Sequence, residues 1–268
     1  MPKRVNKPVV LITGVSSGIG LATAKLFAAN GWAVVGTVRQ QGQMGALRSQ
    51  RFDLQPAEMT RPGDLDRVVA TTWQRYRRID VVICNAGYGL IGPIDTLGYS
   101  QMREQLAVNV LAPAELVRHV VPFMRTQGRG VIVGISSIAG IVGVPGFGIY
   151  SASKFGLEGL FESLSLELAP AGITVKLIEP GPVGNTGFWT RLRRGGGRKW
   201  REEELGSHMT GRTGKAVTAD KVAAAIFSAS LDGKARLRYP VGISRAAGAA
   251  KRFLPERIYR RLIRRAII

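Results

Sequence analysis

The stretch Pro8-Val9-Val10-Leu11-Ile12-Thr13-Gly14-Val15-Ser16-Ser17-Gly18-Ile19-Gly20 decides the fold. Pro8–Ile12 is a short apolar run rich in Val and Ile, which reads as a strand buried on both faces. A helical pattern (Leu21, Ala22, Ala24, Leu26, Phe27) follows the glycines and stops at Asn30-Gly31. Strand, glycine-rich turn and helix together form the arrangement in which glycines bring a backbone close to a pyrophosphate. The helix N-terminus supplies free N–H groups and a positive dipole end. A turn that serves packing alone is the plainer reading of this stretch by itself.

The pattern repeats outward from there. Trp32–Val38 reads as a second strand, Arg51–Leu54 as a third with Asp53 at its end, and Pro62–Tyr76 as a helix with an apolar stripe of Leu65, Val68, Val69 and Trp73. Asp80–Cys84 is the fourth strand and runs into Asn85-Ala86-Gly87. Ser100–Arg125 is helical and carries Asn109 in an apolar setting. Val131–Ser136 is the fifth strand, Tyr150–Ala169 a helix, and Ile173–Ile178 the sixth strand, closing on Glu179-Pro180-Gly181-Pro182-Val183. Strands alternating with helices at this spacing imply a doubly wound α/β fold with a mostly parallel sheet. Ligands of such sheets bind beyond the C-terminal strand ends, where this reading puts Gly14, Arg39, Asp53 and Asn85.

Arg39 ends the second strand, where an acidic residue would accept from a ribose 2′-hydroxyl. A cation there pairs instead with a 2′-phosphate, so the sequence leans to NADP(H), with NAD(H) as the other nucleotide the turn admits. A solvated surface arginine is the alternative.

Composition narrows the classes. The 268 residues are 45% hydrophobic, enough for one large domain with a core, and carry a net charge of +20. That charge suits nucleic acid, an anionic membrane or an anionic ligand, or nothing beyond solvated arginine. It is dense at Arg191–Arg201 and from Lys234 to Arg265, where Glu256 is the only acid. Cys84 is the lone cysteine, so no intrachain disulfide forms, and His119 and His208 have no nearby Cys partners, so no metal site is expected. No apolar run reaches the ~18 residues of a spanning helix, and the start shows no signal peptide, giving a cytoplasmic expectation.

Residues 187–213 break into Gly, Arg and Glu and read as a mobile substrate loop. Thr218–Leu231 reads as a helix capped by Thr218, and Arg236–Val241 as a last strand. The expected domain is residues 1–254, with 255–268 as a basic amphipathic helix. Its apolar face is Ile258, Tyr259, Leu262, Ile263, Ala266 and Ile267. Such a helix suits peripheral membrane contact, a partner subunit, or packing on the protein's own body.

Ser136-Ser137 and Tyr150-Ser151-Ala152-Ser153-Lys154 carry the chemistry. Residues at i and i+4 share a helix face, and a cation beside a phenol pulls its pKa down from about 10. An ordinary surface Tyr and Lys would show the same spacing.

Thr13-Gly14 with Gly18-Ile19-Gly20, Asn85-Ala86-Gly87, Asn109, Ser137, Tyr150 with Lys154, and Pro180-Gly181, in that order, resemble the short-chain dehydrogenases/reductases over residues 8–190. Cys84–Gly89, Gly92-Pro93 and Leu97-Gly98 resemble the 17β-hydroxysteroid and retinol dehydrogenase branch. The resemblance implies a Rossmann fold and an alcohol/carbonyl oxidoreductase acting on a small apolar steroid-, retinoid- or lipid-like molecule. It implies Tyr150 as general acid/base, Lys154 as the group lowering its pKa and holding the nicotinamide ribose, Ser137 on the substrate oxygen, and Asn109 positioning a relay water. Gly14, Ser16, Ser17, Gly18, Ile19 and Gly20 would line the phosphates. Asp53, with Leu54 beside it, would meet the adenine, and Asn85, Ala86 and Gly87 the ribose side. Pro180, Gly181 and Val183 would border the nicotinamide. Thr186 falls one residue later than the family's threonine, which weakens its expected contact. The resemblance also implies a homodimer or homotetramer. A binding or regulatory protein that keeps the fold and uses its basic surface for nucleic acid or membrane is the alternative, and specific nucleic-acid binding is not expected.

Overall fold

The computed structural model describes residues 7–40, 42–45, 47, 50, 52–184, 186–189, 192–195 and 216–267, with 262–267 as backbone only. Most of the expected 187–213 loop lies outside the described residues, as do the side chains of Leu262, Ile263, Ala266 and Ile267.

The chain opens with β1 (Val9–Ile12), α1 (Gly18–Ala29), β2 (Ala33–Val38), the short α2 (Gly42–Gly45), β3 (Asp53–Pro56), α3 (Pro62–Tyr76) and β4 (Val81–Cys84). There follow β5 (Leu90–Ile91), α4 (Tyr99–Leu106), α5 (Ala112–Gln127), β6 (Gly130–Ile135), α6 (Gly148–Leu168) and β7 (Ile173–Pro180). The described chain closes with β8 (Arg193–Arg194), α7 (Ala219–Leu231), β9 (Arg238–Val241), α8 (Ser244–Phe253) and α9 (Glu256–Ile267). Seven strands form one sheet in the order β3-β2-β1-β4-β6-β7-β9, and every adjacent pair is parallel. The doubly wound parallel sheet expected from the sequence is therefore present.

The period of two along each strand sorts side chains into two cores. Val9 and Leu11 of β1 join Leu65, Val68, Leu116, Val120 and Phe161 from α3, α5 and α6. Val10 and Ile12 point the other way, toward Ala24, Phe27, Val222 and Ile226 of α1 and α7. The central strands β1 (VVLI) and β4 (VVIC) are apolar and buried throughout because both faces are covered. At Gly134 of β6 a Cβ would lie 2.6 Å from the Phe161 ring, so glycine lets α6 close on the sheet. Thr218 caps α7 as expected, its Oγ1 accepting from Lys221 N at 3.2 Å.

Two expectations need correction. The continuous helical segment Tyr99–Gln127 has mean hydropathy 1.3 over 18 residues and is long and apolar enough to cross a membrane. In this fold it is one layer on the sheet, with Leu116, Val117 and Val120 in the core. Its middle, Ala107–Leu111, is a π-helical turn, which the sequence pattern did not reveal. The third strand begins, rather than ends, at Asp53, which pairs with Val35; Pro56 pairs with Val38 at the C-terminal end. Asp53 and Leu54 thus sit away from the ligand end of the sheet.

Candidate active site

The C-terminal ends of β1, β2, β4, β6 and β7 border a cleft of about 490 Å³. Its floor is the turn after β1. Gly14 and Gly18 there have φ of +74° and +57°, values that glycine adopts without strain. Gly20 admits no side chain, since a Cβ would stand 2.2 Å from the Gly14 carbonyl oxygen. Thr13 Oγ1 accepts from the backbone N–H groups of Asn85 and Ala86, both at 3.0 Å. Asn85 Nδ2 in return donates to the Thr13 and Gly14 carbonyls at 2.8 and 3.1 Å. The Asn85 side chain is thus committed to bracing the turn.

Ser16, Ser17, Ile19, Ala86, Gly87, Pro180, Gly181 and Val183 line the same cleft. Thr186 does too; it packs against Gly18, where a Cβ would lie 3.5 Å from its own, and its buried Oγ1 has no hydrogen-bond partner. Its offset in sequence did not remove it from the site. Arg39 lies at the rim, half-exposed, with Nε 3.6 Å from Glu58 Oε2. Glu58 reaches it because β3 ends at Pro56.

Asp53 and Leu54 are absent from the lining, and Ala57 and Met59 stand there instead. Asp53 pairs with Arg75 at 3.1 Å and accepts from the Tyr76 hydroxyl at 3.2 Å, tying β3 to α3. No acidic signal marked Ala57 and Met59; only the pairing of β3 with β2 places them.

Ser137 and Tyr150 face each other across the far side of the cleft. Ser137 Oγ accepts from Ala139 N at 3.2 Å and opens a short 3-10 turn. The Tyr150 ring lies between Phe147 and Phe188, at centroid distances of 5.8 and 5.7 Å. Lys154 is buried behind it, Nζ donating to the Ile135 carbonyl at 2.8 Å. Burial pushes the Tyr150 hydroxyl up to about 12, with the Ser137 hydrogen bond pulling the other way. Burial brings the Lys154 amine down to about 8 against the opposing pull of Glu158. The lowered phenol expected from the spacing is therefore not found in this structure: desolvation of both groups outweighs their proximity.

Asn109 sits in the π turn beneath Gly87. Its amide donates to the Tyr88 carbonyl at 3.1 Å and to Ser153 Oγ at 3.0 Å, and its carbonyl accepts from Tyr88 N at 3.3 Å. It thus ties Tyr88 to α6, one residue from Lys154. The outer cleft wall carries Val144, Phe147, Phe188 and Trp189, and Val142, Leu192 and Tyr259 belong to the apolar cluster packed with them. Trp189 is fixed by Nε1 donating to the Val183 carbonyl at 2.8 Å. Val144 and Arg193, which also line the cleft, carry no local signal in the sequence. No group of three or more metal-ligating side chains occurs among the described residues.

Known proteins resemble this chain in sequence and fold. Over 265 residues the chain is 33% identical to the uncharacterized oxidoreductase YbbO of Escherichia coli (strain K12), covering 97% of this chain and 95% of that one. It is 37% identical over 200 residues to human 17-beta-hydroxysteroid dehydrogenase type 1, covering 69% of this chain and 60% of that protein. A metagenomic short-chain oxidoreductase crystallised with NADP superposes with a TM-score of 0.72 at 27% identity, covering 87% of this chain and 96% of that one. The profile of the short chain dehydrogenases matches residues 8–196, and the chain belongs to that family of oxidoreductases.

Proposed function

We propose that the protein is an NADP(H)-dependent oxidoreductase interconverting an apolar alcohol and its ketone or aldehyde. One observation carries the reading: Ser137 and the buried Tyr150 open on the same cleft as a glycine cradle and a rim arginine. The cradle fits a dinucleotide. Gly20 leaves room for backbone alone, the turn and the α1 N-terminus offer N–H groups, and the buried Thr186 hydroxyl is an orphan that a carboxamide can satisfy. Gly14 to Gly20 would hold the phosphates, Arg39 the 2′-phosphate, Ala57 and Met59 the adenine side, and Pro180, Gly181, Val183 and Thr186 the nicotinamide. When bound, the nucleotide supplies or accepts the hydride.

The chain's own groups handle the oxygen. Ser137 donates a hydrogen bond to the substrate oxygen and holds it beside Tyr150. Tyr150 delivers its proton to that oxygen as a carbonyl becomes an alcohol, and takes it back in the reverse direction. At neutral pH a phenol held near 12 keeps its proton, so the donor role needs no prior ionisation. Lys154 places a cation behind the ring, with its Nζ 5.8 Å from the ring centroid. That charge stabilises the phenolate left after transfer. The apolar wall of Val144, Phe147, Phe188 and Trp189 excludes water and suits a steroid-, retinoid- or lipid-like substrate. The name of the human relative, a 17-beta-hydroxysteroid dehydrogenase, supports that class.

The test is Tyr150→Phe, assayed by NADPH oxidation against carbonyls graded in size and polarity. Turnover is expected to fall at least about a thousandfold, with NADPH still binding. Undiminished turnover rejects the assignment.

A second reading concerns the tail. Phe253 and Ile258 are exposed beside Lys251, Arg252, Arg257 and Arg260, which favours contact with an anionic bilayer. Removing residues 255–268 should abolish sedimentation with anionic liposomes at low salt; retained binding refutes it. A purely regulatory role on nucleic acid gains no support from the enclosed Ser137–Tyr150 site.

A further inference from the structure

Behind Lys154 lies a buried charge cluster that the chemistry above does not use. Glu158, one helical turn further along α6, is 7% exposed. Its Oε2 accepts from Arg238 Nε at 3.1 Å. Its Oε1 is sealed from solvent, and the hydroxyl of Ser136 is the polar group beside it. Arg238 stands on the edge strand β9, with Nε 3.5 Å from Glu179 Oε1 and Nη2 donating to Glu162 Oε2 at 2.7 Å. Glu179 is 4% exposed and directly precedes Pro180-Gly181 at the cleft.

We propose that Glu158 is a positioning residue for Lys154: buried with it on one face of α6, its carboxylate keeps the Lys154 ammonium charged, and Arg238, shared with Glu179, limits the negative charge that the ammonium feels. This inference rests on the role given to Lys154 above.

The physical case begins with a lone ammonium. Enclosed in protein, it sheds its proton unless a nearby anion offsets the lost hydration. Lys154 has one neutral acceptor, the Ile135 carbonyl. The groups around it can be named by element. Tyr150 stands on the cleft side, Asn109 and Ser153 on the π-turn side, and Ser136 at the end of β6. Glu158 and Glu162 follow on α6 itself, Glu179 lies on β7, and Arg238 on β9, with Arg236 acting on Glu179. Of these, Glu158 is the carboxylate whose charge opposes the loss of the ammonium. Burial raises Glu158 above the usual carboxylate range, and the Ser136 hydroxyl and then the Arg238 guanidinium pull against that rise. Space permits little rearrangement: a Cβ on Gly140 would lie 2.6 Å from Ser136 Oγ and 3.2 Å from Glu158 Cγ.

The test is Glu158→Gln, which removes the charge and preserves the shape. Lys154 is followed by its 13Cε resonance in lysine-labelled, nucleotide-free protein, assigned by its loss in Lys154→Arg. The titration is expected to move to lower pH by about one unit. The basic limb of kcat/KM should move with it, giving about a tenfold loss at pH 9 and under about twofold at pH 7. Glu158→Asp retains the charge at a shorter reach and should give a smaller shift of the same sign; it also serves if the Gln variant does not fold. A Lys154 titration that coincides with the wild type in the folded variants overturns the proposal, whatever happens to stability. Because the resonance is read without turnover, failure of the oxidoreductase reading would leave this result standing on its own.

Discussion

Glu179 offers the sharpest test of how burial and pairing compete in this cluster. Burial is the largest influence and pushes it up to about 7, the Glu158 carboxylate adds to the rise, and Arg238 and Arg236 oppose it. In the unfolded chain a glutamate titrates near 4.3. Between about pH 4.5 and 7 the folded state therefore retains a proton that the unfolded state has released. The sign follows: the unfolded state binds fewer protons, so this group makes stability fall as pH rises through that window. The total loss is about 3 kcal/mol, complete above pH 7. Glu179→Gln removes the titration and keeps the side-chain volume. Urea unfolding of both proteins at steps from pH 4.5 to 8 isolates the effect, because the difference between them cancels groups common to both. Asp232 and Glu115, each held down to about 2, lose their contributions below this window. The variant should gain on the wild type by about 3 kcal/mol between pH 4.5 and 8. If the wild type instead gains on the variant as pH rises, Arg238 holds Glu179 ionised, and the claim that burial wins is wrong.

Two further predictions address the nucleotide. Arg39→Ala should weaken NADPH about ten- to a hundredfold in fluorescence titration while NADH changes by under about threefold, as loss of a charge-assisted phosphate contact requires; equal loss for both nucleotides contradicts the 2′-phosphate role. Asp53→Asn should leave NADPH affinity within about twofold and lower stability by under about 1 kcal/mol, since its Arg75 partner is largely exposed. A marked loss of NADPH affinity would return Asp53 to the site.

The parts of this site legible in the sequence are those fixed by local chemistry. Thr13 to Gly20 is readable because a strand, glycines at obligatory positive φ and a helix start follow one another directly. Tyr150 and Lys154 share a helix face whatever packs around them. The β3 register was not legible, because Phe52 to Pro56 has no apolar run to mark its bounds. Pairing of Val35 with Asp53, across separate segments, sets it. That pairing moves Asp53 to α3 and brings Ala57, Glu58 and Met59 to the cleft. The Tyr150 acidity was misread for a related reason: four-residue spacing reveals that a cation is near, but burial of both groups depends on the sheet and on Phe147 and Phe188.

The doublet Ser136-Ser137 shows why adjacent identical residues can serve different ends. Ser137 is fully extended, at φ −167° and ψ 163°, so neighbouring side chains leave the backbone on opposite sides. Ser137 therefore meets Tyr150 in the cleft, while Ser136 is buried beside Glu158. On α6, Tyr150, Lys154 and Glu158 recur every four residues along one face. The stripe runs from a phenol at the cleft, through a buried ammonium, to a carboxylate clamped by Arg238 on the edge strand. A strand end thus supplies one hydroxyl to each end of a helical charge row, and β9 becomes electrostatically joined to the cleft. On this reasoning, changes at Arg238, remote from the cleft, should register in the pH profile before they register in nucleotide affinity.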